Sequence, residues 1–342
     1  MRYRFGVILL LSGWSIQANA AQEGLDICAQ KIDEQVRLNC YDGWQERQKA
    51  PAVTRRVRRT NETRWITAQR EEVESSREGD RFVILPYRTN YFLALDYDSN
   101  PNAKTSTATS TTTPNQAGND TAIANEDFDN IEAKIQISFK TRLLDGPFRE
   151  NSSLWIGYTQ LLMWQMYNRA ESSPFREINY EPEIFVQFID PMKFLGLRST
   201  VANIGINHQS NGRSQSTSQG WNRIVASLFW GNEDYVVGVQ PWVRIPESSS
   251  DDDNPDIEKY AGYGQLFGSR KYGRNTLAVT LHNNLRQHSN LGAIQLDWSF
   301  PLGFTPRLKG YVQYFNGYGE TLIDYNDSVN RIGIGVLLTD WL

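Results

Sequence analysis

Cysteine and long apolar runs are what this sequence has least of, and each shortage removes a class of protein. Two cysteines occur among 342 residues, and two thiolates alone cannot complete a tetrahedral zinc site. Beyond the first twenty residues, no window approaches the roughly 18 uncharged apolar residues that a membrane-spanning helix needs. A net charge of −4 gives no sign of a nucleic-acid partner. The mean hydropathy of −0.53 would suit a soluble protein. Aromatic residues, however, make up 12% of the chain, with ten Trp and sixteen Tyr. An aromatic-rich chain without a membrane helix is either a secreted enzyme or a transmembrane β-barrel, whose alternating signal is weak. Composition does not choose between them.

Residues 1–20 read as a secretory signal. Arg2 and Arg4 precede the apolar run Phe5 to Leu11, and Ala18-Asn19-Ala20 supplies small residues for cleavage. Export leads to an oxidising compartment, which makes Cys28 and Cys40 a candidate disulfide. Leu25, Ile32, Val36 and Leu38 are spaced for one face of a short helical unit. Residues 51–80 are charged and poor in apolar side chains, as a linker is. Together 21–80 form an extension preceding the domain at 81–342. A Ser/Thr/Asn-rich stretch at 99–125 cannot bury a core and reads as a loop.

From Phe82 onward the pattern predicts twelve strands, at 82–98, 131–144, 152–166, 182–191, 196–210, 220–230, 234–245, 258–270, 274–285, 291–300, 306–316 and 329–341. Alternation is clearest where Ile224, Ala226, Leu228 and Trp230 oppose Arg223 and Ser227, and where Ile294, Leu296, Trp298 and Phe300 oppose Gln295 and Asp297. Tight turns such as Tyr272-Gly273 alternate with polar loops at 167–181, 211–219, 246–257 and 317–328. Short periplasmic turns and longer external loops are the rhythm of an outer-membrane barrel. A secreted β-sandwich has no need of it. The expected fold is therefore all-β, a twelve-stranded antiparallel transmembrane barrel with a short helical periplasmic extension.

The chemically dense segment is Asn207-His208-Gln209-Ser210-Asn211-Gly212-Arg213-Ser214, followed by Trp221-Asn222-Arg223. Residues two apart on a strand share a face, so His208 and Ser210 project together. The loop at 211–219 returns the chain as a neighbour and brings Asn222 beside His208. Serine, histidine and an orienting group make a nucleophile, a base and its holder. All three share parity with apolar residues: His208 and Ser210 with Ile204 and Ile206, Asn222 with Ile224 and Leu228. They occupy the outward face near the external strand ends, where the obvious substrate is lipid. A histidine and a serine two apart also occur by chance, and polar residues there can simply solvate the rim.

The segment His208 to Asn222 resembles the active-site signature of the outer membrane phospholipase A family, N-H-x-S-N-G-R-S…W-N. The likeness continues in Ser172-Ser173-Pro174-Phe175-Arg176-Glu177, in Asp253-Asn254-Pro255-Asp256 and in Gly317 to Asn326. It covers about 82–342. The resemblance implies a twelve-stranded barrel hydrolysing acyl esters of phospholipids and lysophospholipids at both the sn-1 and sn-2 positions. Ser210 would be nucleophile, His208 base, Asn222 orienter, and the Gly212 amide an oxyanion donor. It also implies activation by calcium and homodimerisation. Matching calcium ligands are Arg213, through its carbonyl, and Ser218, with Ser172 from the partner; Asp253 matches a second position. Gln160 matches a dimer contact in the membrane, although parity alone equally allows it to face the lumen. Two other functions fit an outward Ser-His pair or the barrel alone, a lipid A deacylase and a non-catalytic porin or adhesin.

Overall fold

The computed structural model describes residues 83–99, 128–149, 151–170, 172–189, 193–194, 197–214, 217–231 and 234–340. The signal segment, the helical unit with Cys28 and Cys40, the charged linker and nearly all of the Ser/Thr-rich stretch lie outside the described residues. The chain forms β1 (Ile84–Pro86), β2 (Asn90–Asp98), β3 (Ile131–Asp145), β4 (Ser152–Trp164), β5 (Phe175–Phe188), β6 (Lys193–Phe194), β7 (Leu197–Ser210), β8 (Gly220–Gly231) and β9 (Tyr235–Ile245). A helical turn, α1 (Glu258–Ala261), then precedes β10 (Gly264–Tyr272), β11 (Asn275–Asn283), β12 (Gly292–Leu302), β13 (Thr305–Gly317) and β14 (Val329–Thr339).

Twelve of these strands, β2–β5 and β7–β14, pair antiparallel in a ring that β14–β2 and β3–β4 close. Closure satisfies every strand edge, which is the condition for crossing hydrocarbon with strands. The faces are inverted relative to a soluble protein. Ile204, Ile206, Ile224, Val243, Leu296, Ile332 and Ile334 are exposed on the outside. Charged and amide side chains such as Glu132, Lys134, Arg176, Gln313 and Arg331 are buried inside. An apolar belt around a polar interior is the pattern of a bilayer-spanning barrel.

Three expected spans change. The segment 82–98 breaks at Tyr87-Arg88-Thr89. There the Tyr87 ring stacks on Phe185, and Arg88 reaches Glu181 at 2.8 and 3.0 Å and Glu183 at 3.1 Å, both on β5. The strand expected from 182 begins instead at Phe175. Pro182 suggests a boundary because it lacks an N–H. Its register with Tyr158 of β4 is nevertheless unbroken, and pairing around it lapses only on the β7 side, between Tyr180–Ser210 and Glu183–Asn207. The segment 258–270 opens as α1, whose end at Gly262 takes φ +75°. Just before α1, Ile257 packs with Trp221, Trp242, Leu322 and Tyr325 in an apolar cluster.

Ion pairs fill the lumen nearer the long loops. Arg331 meets Asp98 and Glu320 at 2.9 Å, Asp96 at 3.3 Å, and also Glu132. Arg176 meets Glu132 at 2.9 Å and also Asp324, while Lys134 meets Glu320 at 2.7 Å. Removing one partner of such a buried set leaves uncompensated charge. Arg331→Met should therefore destabilise the barrel by about 3–5 kcal/mol. A chemical-denaturation midpoint in detergent micelles measures this, and an unchanged midpoint would show that the network adds nothing to stability.

Candidate active site

The site is held from behind. On β7, Asn207 and Gln209 point into the lumen, where the Asn207 amide donates to Glu181 at 2.8 Å and its carbonyl oxygen accepts from Arg223 at 2.6 Å. Gln209 accepts from the Trp221 indole at 2.9 Å. Arg223, on β8, also lies over the Trp221 ring and pairs with Glu181 at 3.2 Å. These bonds tie β5, β7 and β8 together on the lumen side. That restrains the alternate residues, which face outward.

On the outward side His208 stands directly opposite Asn222, and Ser210 opposite Gly220. His208 Nδ1 lies 2.8 Å from Asn222 Oδ1. A carbonyl oxygen only accepts, so Nδ1 carries the hydrogen and Nε2 of the neutral ring keeps its lone pair. Asn222 Nδ2 in turn donates to Glu247 Oε1 at 2.5 Å. Both bonds form together in one amide orientation only. Glu247 is not among the residues that the sequence motif singles out. It follows β9 by two positions, and β9 sets Ile245 opposite Asn222. The parity of Val243 and Ile245, continued past the strand end, was the signal for it.

Two residues after Ser210, Gly212 takes φ +66°, and a Cβ there would come 2.9 Å from the Tyr180 ring. Tyr180 is opposite Ser210 on one side and Gln160 on the other. Along β4, Trp155, Thr159 and Met163 are buried in the lumen, whereas Ile156 is exposed. Gln160 shares parity with Ile156 and Leu162, so it faces outward. One outward row therefore runs Gln160, Tyr180, Ser210, Gly220.

The calcium candidates lie in the loops beyond these strands. Ser218 Oγ donates to Asp253 Oδ2 at 2.6 Å, which joins two residues that the resemblance assigns to separate ions. The Arg213 guanidinium is turned to Glu177 at 3.3 Å and to the Arg176 carbonyl. Ser172, in the β4–β5 connection, is exposed with φ 61°. Among the described residues there is no group of three or more His, Cys, Asp or Glu that could hold a metal. A cation here would depend on hydroxyl, carbonyl and single carboxylate oxygens, which hard ions such as calcium accept.

The phospholipase A1 family model matches residues 67–338. The chain belongs to the phospholipase A1 family. Phospholipase A1 of Salmonella typhimurium is 38% identical over 76% of this chain and 82% of its own length. A crystal structure of the Salmonella typhi outer membrane phospholipase, a dimer with bound calcium, is similar at a TM-score of 0.67 and 36% identity, covering 76% of this chain and 94% of that one. The Escherichia coli outer membrane phospholipase A, solved as an Asn-to-Ala active-site mutant, gives the same TM-score and identity over 77% and 95%. The resemblance read from the motifs and the twelve-stranded barrel both hold, and this family member is an outer-membrane protein.

The left-handed backbone at Gly212 and its contact with Tyr180 yield a specific expectation. Gly212→Ala should lower turnover about tenfold, since a Cβ at positive φ costs about 1 kcal/mol and displaces the loop behind Ser210. Steady-state kinetics in micelles measure it, and wild-type turnover would show that the loop tolerates a side chain.

Proposed function

We propose that this protein is a calcium-dependent phospholipase of the outer membrane, active as a homodimer. It hydrolyses acyl esters of phospholipids and lysophospholipids at the sn-1 and sn-2 positions. The observation that carries this reading is the 2.8 Å bond between His208 and Asn222 on the lipid-facing wall, with Ser210 on the same face. A serine and a histidine there meet acyl chains directly. The lumen nearer the long loops is filled with ion pairs, which favours a hydrolase over a conducting pore.

In this reading His208 Nε2 takes the proton of Ser210 as Oγ attacks the ester carbonyl. The tetrahedral intermediate collapses, and His208 returns the proton to the departing lysolipid alkoxide. Water, deprotonated by the same nitrogen, then releases the fatty acid from Ser210. Asn222 keeps the imidazole in the Nδ1–H tautomer throughout. The Gly212 amide donates to the oxyanion. Bound calcium would add positive charge near that oxygen, held by the Arg213 carbonyl, the Ser218 hydroxyl and Ser172 of the partner subunit. Asp253 would serve a second position. Gln160 would meet its own copy across the interface, where an amide in hydrocarbon gains from a partner. The chain enters the barrel at Asn90, which pairs with Thr339 at the end that carries the tight turn at Gly273. In this reading that end is the periplasmic one, and residues 21–80 would lie on the periplasmic side.

Fatty-acid release from phospholipid micelles tests the reading. Release should require calcium, stop with chelator, and fall at least about a thousandfold in Ser210→Ala and His208→Ala. Asn222→Ala should be milder, because it orients and does not react. Folded Ser210→Ala protein with substantial activity would remove this serine from the mechanism.

A further inference from the structure

A Ser-His-Asn arrangement lacks something that a Ser-His-Asp arrangement has. An aspartate both fixes the imidazole tautomer and supplies a negative charge against the imidazolium that forms when the base accepts a proton. Asparagine fixes the tautomer but is neutral. In this protein the chain does not end at the amide. Asn222 Nδ2 donates to Glu247 Oε1 at 2.5 Å, and Asn222 Oδ1 lies 2.8 Å from His208 Nδ1. A carboxylate therefore stands one amide removed from the base.

We propose that Glu247 is the fourth member of this site, a positioning residue that acts on His208 through Asn222. The inference rests on the triad reading above and deepens it. Two effects follow from the geometry. An ionised oxygen accepting from the amide N–H makes a charge-assisted bond, roughly twice as strong as one between neutral groups. That bond selects the amide orientation in which Oδ1, and not Nδ2, faces the imidazole. The carboxylate also polarises the amide, drawing negative charge onto Oδ1 just where the Nδ1 hydrogen points. Glu247 takes no proton in the cycle. The charge moves closer to the base through the polarised amide while the proton inventory stays that of His208 and Ser210.

The location suits this role. Glu247 is half-buried at the start of the loop after β9, on the outward parity of Val243 and Ile245. The other charged groups on the neighbouring strands are committed elsewhere. Arg223 is paired with Glu181 at 3.2 Å in the lumen, Arg244 with Asp252 at 2.5 Å, and Arg213 with Glu177 at 3.3 Å. Because Glu247 lies in a loop outside the strand ladder, its replacement spares the barrel.

The test compares the full chain with Glu247→Ala, Glu247→Gln, Asn222→Ala, the Glu247→Ala/Asn222→Ala double variant and Ser210→Ala in phospholipid micelles, first at the calcium concentration that saturates the wild type and then at higher calcium. Glu247→Ala should lower kcat about tenfold with KM within about twofold, the signature of an interaction that matters in the transition state. Glu247→Gln should lose only about threefold, since its carbonyl oxygen accepts the same bond without the charge. In the Asn222→Ala background, removing Glu247 should cost nothing further, as required if it acts through that amide. The proposal is overturned by unchanged kcat in Glu247→Ala. It is equally overturned if the two losses multiply, or if added calcium restores Glu247→Ala to full kcat, which would make the residue a cation ligand. Any of these results with an inactive Ser210→Ala protein leaves the triad standing. An active Ser210→Ala protein brings down the triad and the proposal together.

Discussion

Everything in this structure depends on the need to satisfy backbone N–H and C=O groups inside hydrocarbon. Strands can do so only by closing on themselves. Closure between β2 and β14 and between β3 and β4 leaves no barrel strand without two neighbours. Closure also fixes the chemistry of the two faces. Alternate residues must be either lipid-facing or enclosed, so isoleucines and leucines line the outside while arginines and carboxylates pair within. The paired interior in turn stiffens the wall. Asn207, Arg223 and Glu181 bind β5, β7 and β8 from the lumen side, which sets the outward residues His208 and Asn222 at bonding distance.

This division of labour explains how the groups proposed to carry hydrolysis can stand on a surface built to be apolar. His208, Ser210 and Asn222 lie at the strand ends next to the long loops, where the apolar belt gives way to polar residues. The polarity of His208 and Asn222 is satisfied sideways, from His208 to Asn222 to Glu247, and not by burial. The same outward row carries Tyr180 and Gln160, so the residue proposed to meet a second copy lies on the row that carries Ser210.

Much of the barrel was legible in the sequence, because period-two alternation is a direct imprint of two solvents. β8, β9 and β12 alternate cleanly, and their bounds fall within two residues of expectation. The outward placement of His208, Ser210 and Asn222 followed from parity alone. What stayed hidden was tertiary. Pro182 marks a boundary by every local rule, yet it interrupts pairing on one side only. Gln160 was ambiguous because Leu161 and Leu162 are both apolar, and only burial along β4 decides its face. Glu247 sits past the end of its strand in an acidic, serine-rich loop, where solvation is the ordinary explanation. The register between β8 and β9 was needed to bring it to Asn222. Arg88 likewise looks like one more charge in a polar stretch until the lumen is seen to hold Glu181 and Glu183.

The central claim is that the nucleophile is Ser210 on the lipid-facing wall, activated by His208. Covalent trapping tests it most directly. The folded protein would be treated with a long-chain alkyl fluorophosphonate and digested, and the modified residue located by mass spectrometry. The account predicts stoichiometric labelling of Ser210 that disappears in His208→Ala. Labelling at another residue, or labelling of Ser210 at an undiminished rate in His208→Ala, would contradict it.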